Sequence, residues 1–285
     1  MRRTALALAV TTLAAACSAA PVTHRAAPPL TAAKGHLLVG AADSSYAAFA
    51  SSTGVKPAIV EHYIHPFEPL PTAFAGPAEP LVQIEPRHAP LSDVAAGKYD
   101  GWFRELAAQA KAYGRPLILG FAPEMNGPWY SWGSGHVSPA VYVAAWRRVA
   151  SVFAQSGALN VTWLWTVNVV TPGVSDPMKW WPGDGYVGEV GVDGYIDTSG
   201  QSYAGKIAPT VAAIRGLWDG PVLLSETSAA PQAGQPAKIG DLFAGAVADH
   251  LAGLVWFDLP GNKDWPLKTP AALEAFRAAA KEYGQ

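Results

Sequence analysis

The chain has 285 residues, 50% hydrophobic and 15% charged, with a formal net charge of −2. That length suits one large domain with a substantial core, since single α/β barrels run to roughly 250 residues. The near-neutral balance gives no basic footprint for nucleic acid, and a single cysteine excludes an intrachain disulfide.

The first segment is a targeting pattern. Met1-Arg2-Arg3 precedes an alanine-rich apolar run from Ala5 to Ala16, which reads as a secretory signal. The run is shorter than the about 20 apolar residues that a bilayer span needs. Cys17, directly after Leu13-Ala14-Ala15-Ala16, sits like the lipidated cysteine of a bacterial lipobox, although Ala14 stands where a large aliphatic residue is usual. Residues 1–17 are therefore expected to be a signal peptide ending in a lipobox-like Cys17. The protein would then be secreted and held by lipid on the outer side of a cell membrane, with simple release as the alternative. Residues 18–34, rich in Ala, Pro and Thr, read as a flexible linker.

From residue 35 to 285 short apolar runs alternate with helical patterns, the signature of repeated βα units around a parallel sheet. Expected strands are 36–39, 58–63, 81–85, 116–121, 161–166, 190–192, 222–225 and 253–257. Asp100 to Tyr113 carries Phe103, Leu106 and Ala110 on one stripe and stops at Gly114. Ser138-Pro139 supplies an N-cap and a first-turn proline to a helix that Gly157 ends, and Thr269-Pro270 opens the last helix. Eight strands with intervening helices predict a single-domain (β/α)8 TIM barrel. An open doubly wound sheet is the structural rival, but Gly40-Ala41-Ala42-Asp43-Ser44-Ser45 is no phosphate-binding fingerprint.

In such a barrel, functional groups gather where the strands end. Those ends carry Glu85 and Arg87, Glu124 and Asn126, Trp165 and Asn168, Asp193 and Tyr195, Glu226, and Trp256 and Asp258. Carboxylates, amides and indoles together fit an uncharged, polyhydroxylated ligand: hydroxyls take hydrogen bonds, and the apolar faces of sugar rings stack on aromatic planes. Cleaving a glycosidic bond needs two carboxyl groups, one protonated and one ionised. Glu124 and Glu226 are the natural pair, with Tyr195 as a hydrogen-bond donor to Glu226. Trp129 and Trp132 follow Glu124 closely and are expected in the cleft. Trp163 is read as exterior packing and Trp165 as cleft-facing, while Glu85 either binds a sugar hydroxyl or pairs with Arg87. His62, His65 and His88 lack a ligand-spaced pair on one helix, so no metal is expected.

Glu124-Met125-Asn126-Gly127 with Trp129 and Trp132 resembles the acid/base segment of glycoside hydrolase family 26. Asn160-Val161-Thr162-Trp163-Leu164-Trp165, Gly191-Val192-Asp193-Gly194-Tyr195, Leu224-Ser225-Glu226-Thr227 and Gly253-Leu254-Val255-Trp256-Phe257 follow in the family's order, so the resemblance spans about Leu81 to Trp265. It implies a retaining endo-β-glycosidase in which Glu124 is the acid/base, Glu226 the nucleophile, Tyr195 orients Glu226, and Trp256 stacks beneath the sugar. Asn126, Trp129, Trp132, Trp165 and Glu85 complete the expected substrate-binding set. Family mannanases commonly have His before the acid/base Glu. Pro123 stands there instead, which points away from a strict mannanase and toward glucan- or xylan-active members.

The expected function is thus hydrolysis of a β-linked polysaccharide, of the β-1,4-mannan or mixed-linkage β-glucan type, by a monomer without a cofactor. A non-catalytic carbohydrate-binding lipoprotein on a degenerate barrel is the first rival. A structural envelope lipoprotein is the second, and it has no use for this carboxylate-amide-aromatic set.

Overall fold

A computed structural model of the protein describes residues 31–43, 45–261 and 263–285. The signal segment, Cys17 and the linker up to residue 30 lie outside the described residues. Strands β1 (Leu38–Ala42), β2 (Ile59–Ile64), β3 (Glu79–Ile84), β4 (Leu117–Phe121), β5 (Val161–Asn168), β6 (Glu189–Asp193), β7 (Val222–Thr227) and β8 (Gly253–Phe257) close in chain order into one parallel barrel. Helices α1 (Tyr46–Thr53), α2 (Leu91–Ala95), α3 (Asp100–Tyr113), α4 (Pro139–Gln155), α5 (Tyr203–Lys206), α6 (Ala208–Arg215), α7 (Gln235–Ala248) and α8 (Pro270–Tyr283) lie between and after them. The fold is the (β/α)8 barrel that the spacing predicts.

Local chemistry sets the helix boundaries. Ser138 accepts the amide of Val141 at 3.4 Å, and Pro139 pre-sets the first turn of α4. That helix lays Tyr142, Ala145, Trp146, Val149 and Phe153 on the sheet, and Gly157 follows it with φ 75°. Thr269 caps α8 in the same way through the amide of Ala272.

The barrel interior is tiered. Its floor is an apolar layer of Leu38, Ile59, Leu81, Ile118, Leu164, Leu223 and Val255, all buried. Each contributes on the order of 2 kcal/mol by leaving water. Above it lies a polar tier of Glu61, Gln83, Thr166, Asp193 and Ser225. Gln83 Nε2 donates to Glu61 Oε1 (3.2 Å) and Thr166 Oγ1 (3.1 Å), and Ser225 Oγ donates to Asp193 Oδ1 (2.6 Å). Gly191 makes this possible, because a Cβ there would collide with Ser225 and Thr166.

Two expectations about direction are overturned. Residues two apart on a strand share a face, so Trp163 and Trp165 point the same way. Leu164 occupies the interior, and both indoles face the helices: Trp163 packs edge-on to Phe153 (5.2 Å between ring centroids) and Trp165 edge-on to Trp181 (5.0 Å). Trp256 is likewise an outer-face residue, fully buried and edge-on to Phe276 of α8 (5.6 Å), because Val255 and Phe257 take the inner positions. Neither Trp165 nor Trp256 lines the cleft.

Candidate active site

The strand after which Glu124 comes ends in a strained turn. Ala122 and Glu124 have φ of 49° and 54°, left-handed values that cost non-glycine residues of order 1 kcal/mol each. Neighbouring strands hold the strain in place: the amide of Ala122 donates to Ile84 O (2.9 Å) and that of Glu124 to Thr166 O (3.0 Å). The amide of Gly127 then closes the turn onto Glu124 O at 2.9 Å. Gly127 is required because a Cβ would run into the Trp129 ring.

Glu226 reaches the same space by a different device. Gly191 pairs with Leu223 but Asp193 with Glu226, so β7 carries one residue more than β6 over that stretch, a β-bulge. The bulge lets consecutive residues Ser225 and Glu226 both face the interior.

Glu124 and Glu226 line one cavity of about 1020 Å³ at the C-terminal face. Tyr63, His65, Glu85, Arg87, Trp129 and Tyr130 form one wall. Asn168, Tyr195, Asp197, Lys206, Phe257 and Trp265 form the other. The volume lies at the top of the range for ligand pockets, about 300–1,000 Å³.

The two carboxyls have different partners. Glu124 Oε2 accepts from Trp129 Nε1 at 2.7 Å and Oε1 from the Asn168 side-chain amide. Burial, then the charge of Glu226, pushes the Glu124 pKa up to about 7 against those two hydrogen bonds. Glu226 Oε1 accepts from the Tyr63 hydroxyl at 2.7 Å, and Oε2 accepts from the Tyr195 hydroxyl. Burial raises Glu226 as well, while the two phenol donors pull it back toward the charged form. Below them, burial followed by the charge of Glu226 lifts both Glu61 and Asp193 well above the ordinary carboxylate range. That direction favours the protonated form of both deeper acids.

The structure brings Glu85, Glu124, Trp129, Tyr195 and Glu226 to the cavity. Glu85 is engaged there: its Oε2 accepts from Arg87 Nε (2.8 Å) and lies 3.2 Å from His65 Nε2. Asn126 and Trp132, expected to bind substrate, are buried behind the wall. Asn126 and Asn168 clamp each other, Asn126 Nδ2 donating to Asn168 O (2.7 Å) and Asn168 N to Asn126 Oδ1 (2.9 Å). Trp132 donates to Pro123 O at 2.8 Å and stacks on Tyr130 with ring centroids 4.3 Å apart. Both hold the turn that presents Glu124. Sequence reasoning missed Tyr63 as a site residue. The signal was there: Glu61, Tyr63 and His65 place polar groups on alternate positions of one strand and its exit. Among the described residues, no cluster of three or more His, Cys, Asp or Glu could hold a metal ion.

Comparison with known proteins finds the chain similar to glycoside hydrolases. Over 215 residues the chain is 28% identical to Endoglucanase H of Acetivibrio thermocellus, which takes in 70% of this chain but 24% of that longer protein. The catalytic domain of the GH26 endo-β-1,4-mannanase from Bacillus sp. JAMB-750 superposes with a TM-score of 0.72 at 14% identity, covering 92% of each chain. A double mutant of the Cellulomonas fimi endo-β-1,4-mannanase gives 0.69 at 16% identity, covering 86% of this chain and 70% of that one. At those identities the structural likeness shows the shared fold. The model of glycosyl hydrolase family 26 matches residues 95–228, from the end of α2 to just past β7, a span that includes Glu124 and Glu226; with the relatives above, it identifies the chain as a glycoside hydrolase that resembles that family.

Proposed function

We propose that the protein is a retaining endo-β-glycosidase acting on a β-linked polysaccharide of the β-1,4-mannan or mixed-linkage β-glucan type. The observation that carries this reading is the asymmetry of two carboxyls on one cavity. Glu124 is lifted to about 7 by burial and by Glu226, whereas two tyrosine hydroxyls hold the charge of Glu226. The surroundings of Glu124 thus favour the protonated acid, while the two hydroxyl donors on Glu226 favour its carboxylate form against its burial.

In the first step a Glu226 oxygen bonds to the anomeric carbon. The glycosidic C–O bond breaks, and the Glu124 proton passes to the leaving oxygen. Esterified Glu226 no longer carries charge. That removes the second-largest cause of the raised Glu124 pKa, so the newly formed Glu124 carboxylate persists as a base. It takes a proton from water, the water oxygen bonds to the anomeric carbon, and Glu226 leaves as a carboxylate. Tyr195 and Tyr63 orient Glu226 and stabilise its negative charge, Asn168 and Trp129 aim Glu124, and the exposed part of Trp129 offers a stacking face beside the scissile bond.

Secretion and a lipid anchor at Cys17 belong to this proposal, supported by Met1-Arg2-Arg3, the apolar run after them and the position of Cys17. A polymeric substrate met outside the cell fits an enzyme held at that surface.

The test is release of reducing ends from mannan, barley β-glucan, xylan and curdlan by the wild type and by Glu226→Ala. Turnover of the variant should drop by at least about three orders of magnitude, the scale of removing a covalent nucleophile. Near-normal turnover would take Glu226 out of the mechanism. Sugar binding without release by either protein would replace the hydrolase with a binding protein.

A further inference from the structure

The segment leaving β2 contains a conformational anomaly that the reaction does not use. His65-Pro66-Phe67-Glu68 is a four-residue turn closed by the Glu68 amide on His65 O at 3.1 Å. Pro66 occupies its second position, and Phe67 its third with φ 72°. That pairing of proline and positive φ is the type II pattern, whose third position calls for glycine or asparagine. A bulky aromatic there is a true outlier. Phe67 is also 73% exposed, so burial of its own ring does little to offset the strain. An outlier retained at a rim is evidence for a task.

The surroundings indicate what the task is. His65, two residues earlier, lines the cavity and approaches Glu85, which holds Arg87. Phe67 thus stands just outside the cavity, two residues along the turn from the His65 that lines it. One side of the Phe67 ring leans on Tyr99 (6.1 Å between centroids, 39° between planes) and on Trp102 (5.8 Å, 45°). Trp102 Nε1 donates to Glu68 O at 3.3 Å and anchors the turn from beneath. The ring is thus braced from behind while its remaining surface faces solvent. Among the described residues, Phe67 and Trp129 are the aromatics among the markedly exposed large apolar side chains. They follow β2 and β4, so both stand at the catalytic end of the barrel. Leu159 and Leu217, which precede β5 and β7, are exposed at the other end.

We propose that Phe67, braced by Tyr99 and Trp102, is a distal subsite that stacks one pyranose ring of the same uncharged β-glycan chain whose cleaved linkage lies between Glu124 and Glu226. A sugar ring presents a flat face of C–H groups with hydroxyls at its edge. The first suits the Phe67 ring and the second the nearby Arg87 and His65 groups. This inference rests on the glycan reading above, and binding can judge it apart from hydrolysis.

The experiment measures affinity by calorimetry in Glu226→Ala protein, with manno-oligosaccharides and mixed-linkage gluco-oligosaccharides from the disaccharide to the hexasaccharide. Phe67→Gly is added to that background, since glycine fits the turn's backbone and preserves the fold. Affinity for the longest oligosaccharides should fall about five- to ten-fold, the range expected for one lost stacking contact, while the shortest are unaffected. Phe67→Trp should restore the preference for length. With Glu226 intact, Phe67→Gly should raise KM on the hexasaccharide and leave kcat in place. Equal affinities with and without the ring at every length would overturn the subsite, as would a loss uniform across lengths. If the wild type binds these chains but never cleaves them, the hydrolase reading fails while the affinities still decide the platform. Failure of both series to bind at any length overturns both.

Discussion

Asp193 and Glu226 stand in register across β6 and β7, one residue out of step with the Gly191–Leu223 pair below them. The same slip recurs on the other side of β7, between the Leu224–Leu254 and Thr227–Trp256 pairs. Had β7 kept simple alternation, Leu223 and Ser225 facing inward would have sent Glu226 toward the helices. The extra residue turns Glu226 to the cavity and leaves Ser225 bonded to Asp193 beneath it. Two buried acids, Asp193 and Glu226, are placed by one irregularity.

The opposed environments of the two glutamates predict a bell-shaped dependence of kcat/KM on pH. The alkaline limb follows loss of the Glu124 proton and should fall near 7. The acidic limb follows protonation of Glu226 and should lie above the ordinary carboxylate range, because burial raises that group. Since the acids interact, each limb belongs to the pair rather than to one residue. Tyr195→Phe removes a donor that stabilises the Glu226 charge, so the acidic limb should move to higher pH and kcat should drop by about a hundred-fold. An unmoved acidic limb would show that the hydroxyl does not tune Glu226.

Stability should fall together with activity at alkaline pH. The folded state binds the Glu124 proton more tightly than the unfolded chain does, its pKa being about 7 rather than 4.5. That contribution is complete below the unfolded value and is lost as pH rises through about 7, amounting to at most about 3 kcal/mol. Buried Glu226 shifts in the same direction. The wild-type melting temperature should therefore decline between pH 5 and pH 8. Glu124→Gln, lacking the titration, should decline less over the same interval. Parallel declines in a thermal melt series would remove Glu124 from this account.

Asn126 separates binding from scaffolding. Asn126→Ala strips both hydrogen bonds from the Asn168 backbone, at a cost of about 1–3 kcal/mol for a buried polar pair left unmatched. Because Asn168 also holds Glu124, kcat should fall with it, while KM stays near the wild-type value. A raised KM with unchanged melting temperature would return Asn126 to the substrate-binding set that its position after Glu124 first implied.

The barrel and the acid pair were legible in the sequence because both follow from order along the chain: alternating βα units, and glutamates at strand ends. Which way a side chain points was harder. In β5 Thr162, Thr166 and Asn168 alternate with Val161, Trp163, Trp165 and Val167 and mark the inner face, but every residue from Val161 to Val167 is buried, so that face does not stand out as a solvent-facing edge and the indole of Trp165 resembles a cleft residue. Trp256 posed the same problem in β8, where Leu254 and Val255 are equally apolar. In the loop after β4, Trp129 and Trp132 have no strand period to sort them. A single hydrogen bond to Glu124 for one and to Pro123 for the other decides which is exposed. The bulge in β7 was invisible for another reason: it arises from pairing with two neighbours distant in sequence, not from any residue within the strand.

The apolar floor of the barrel has a consequence for turnover. With Leu38, Ile59, Leu81, Ile118, Leu164, Leu223 and Val255 packed across it, the interior is a blind well with a single door. In a hydrolase of this shape the incoming water and the departing sugar must share that door. A crowded polysaccharide surface then becomes a competitor for the glycosyl group, and chain transfer would rise with substrate concentration at the expense of cleavage.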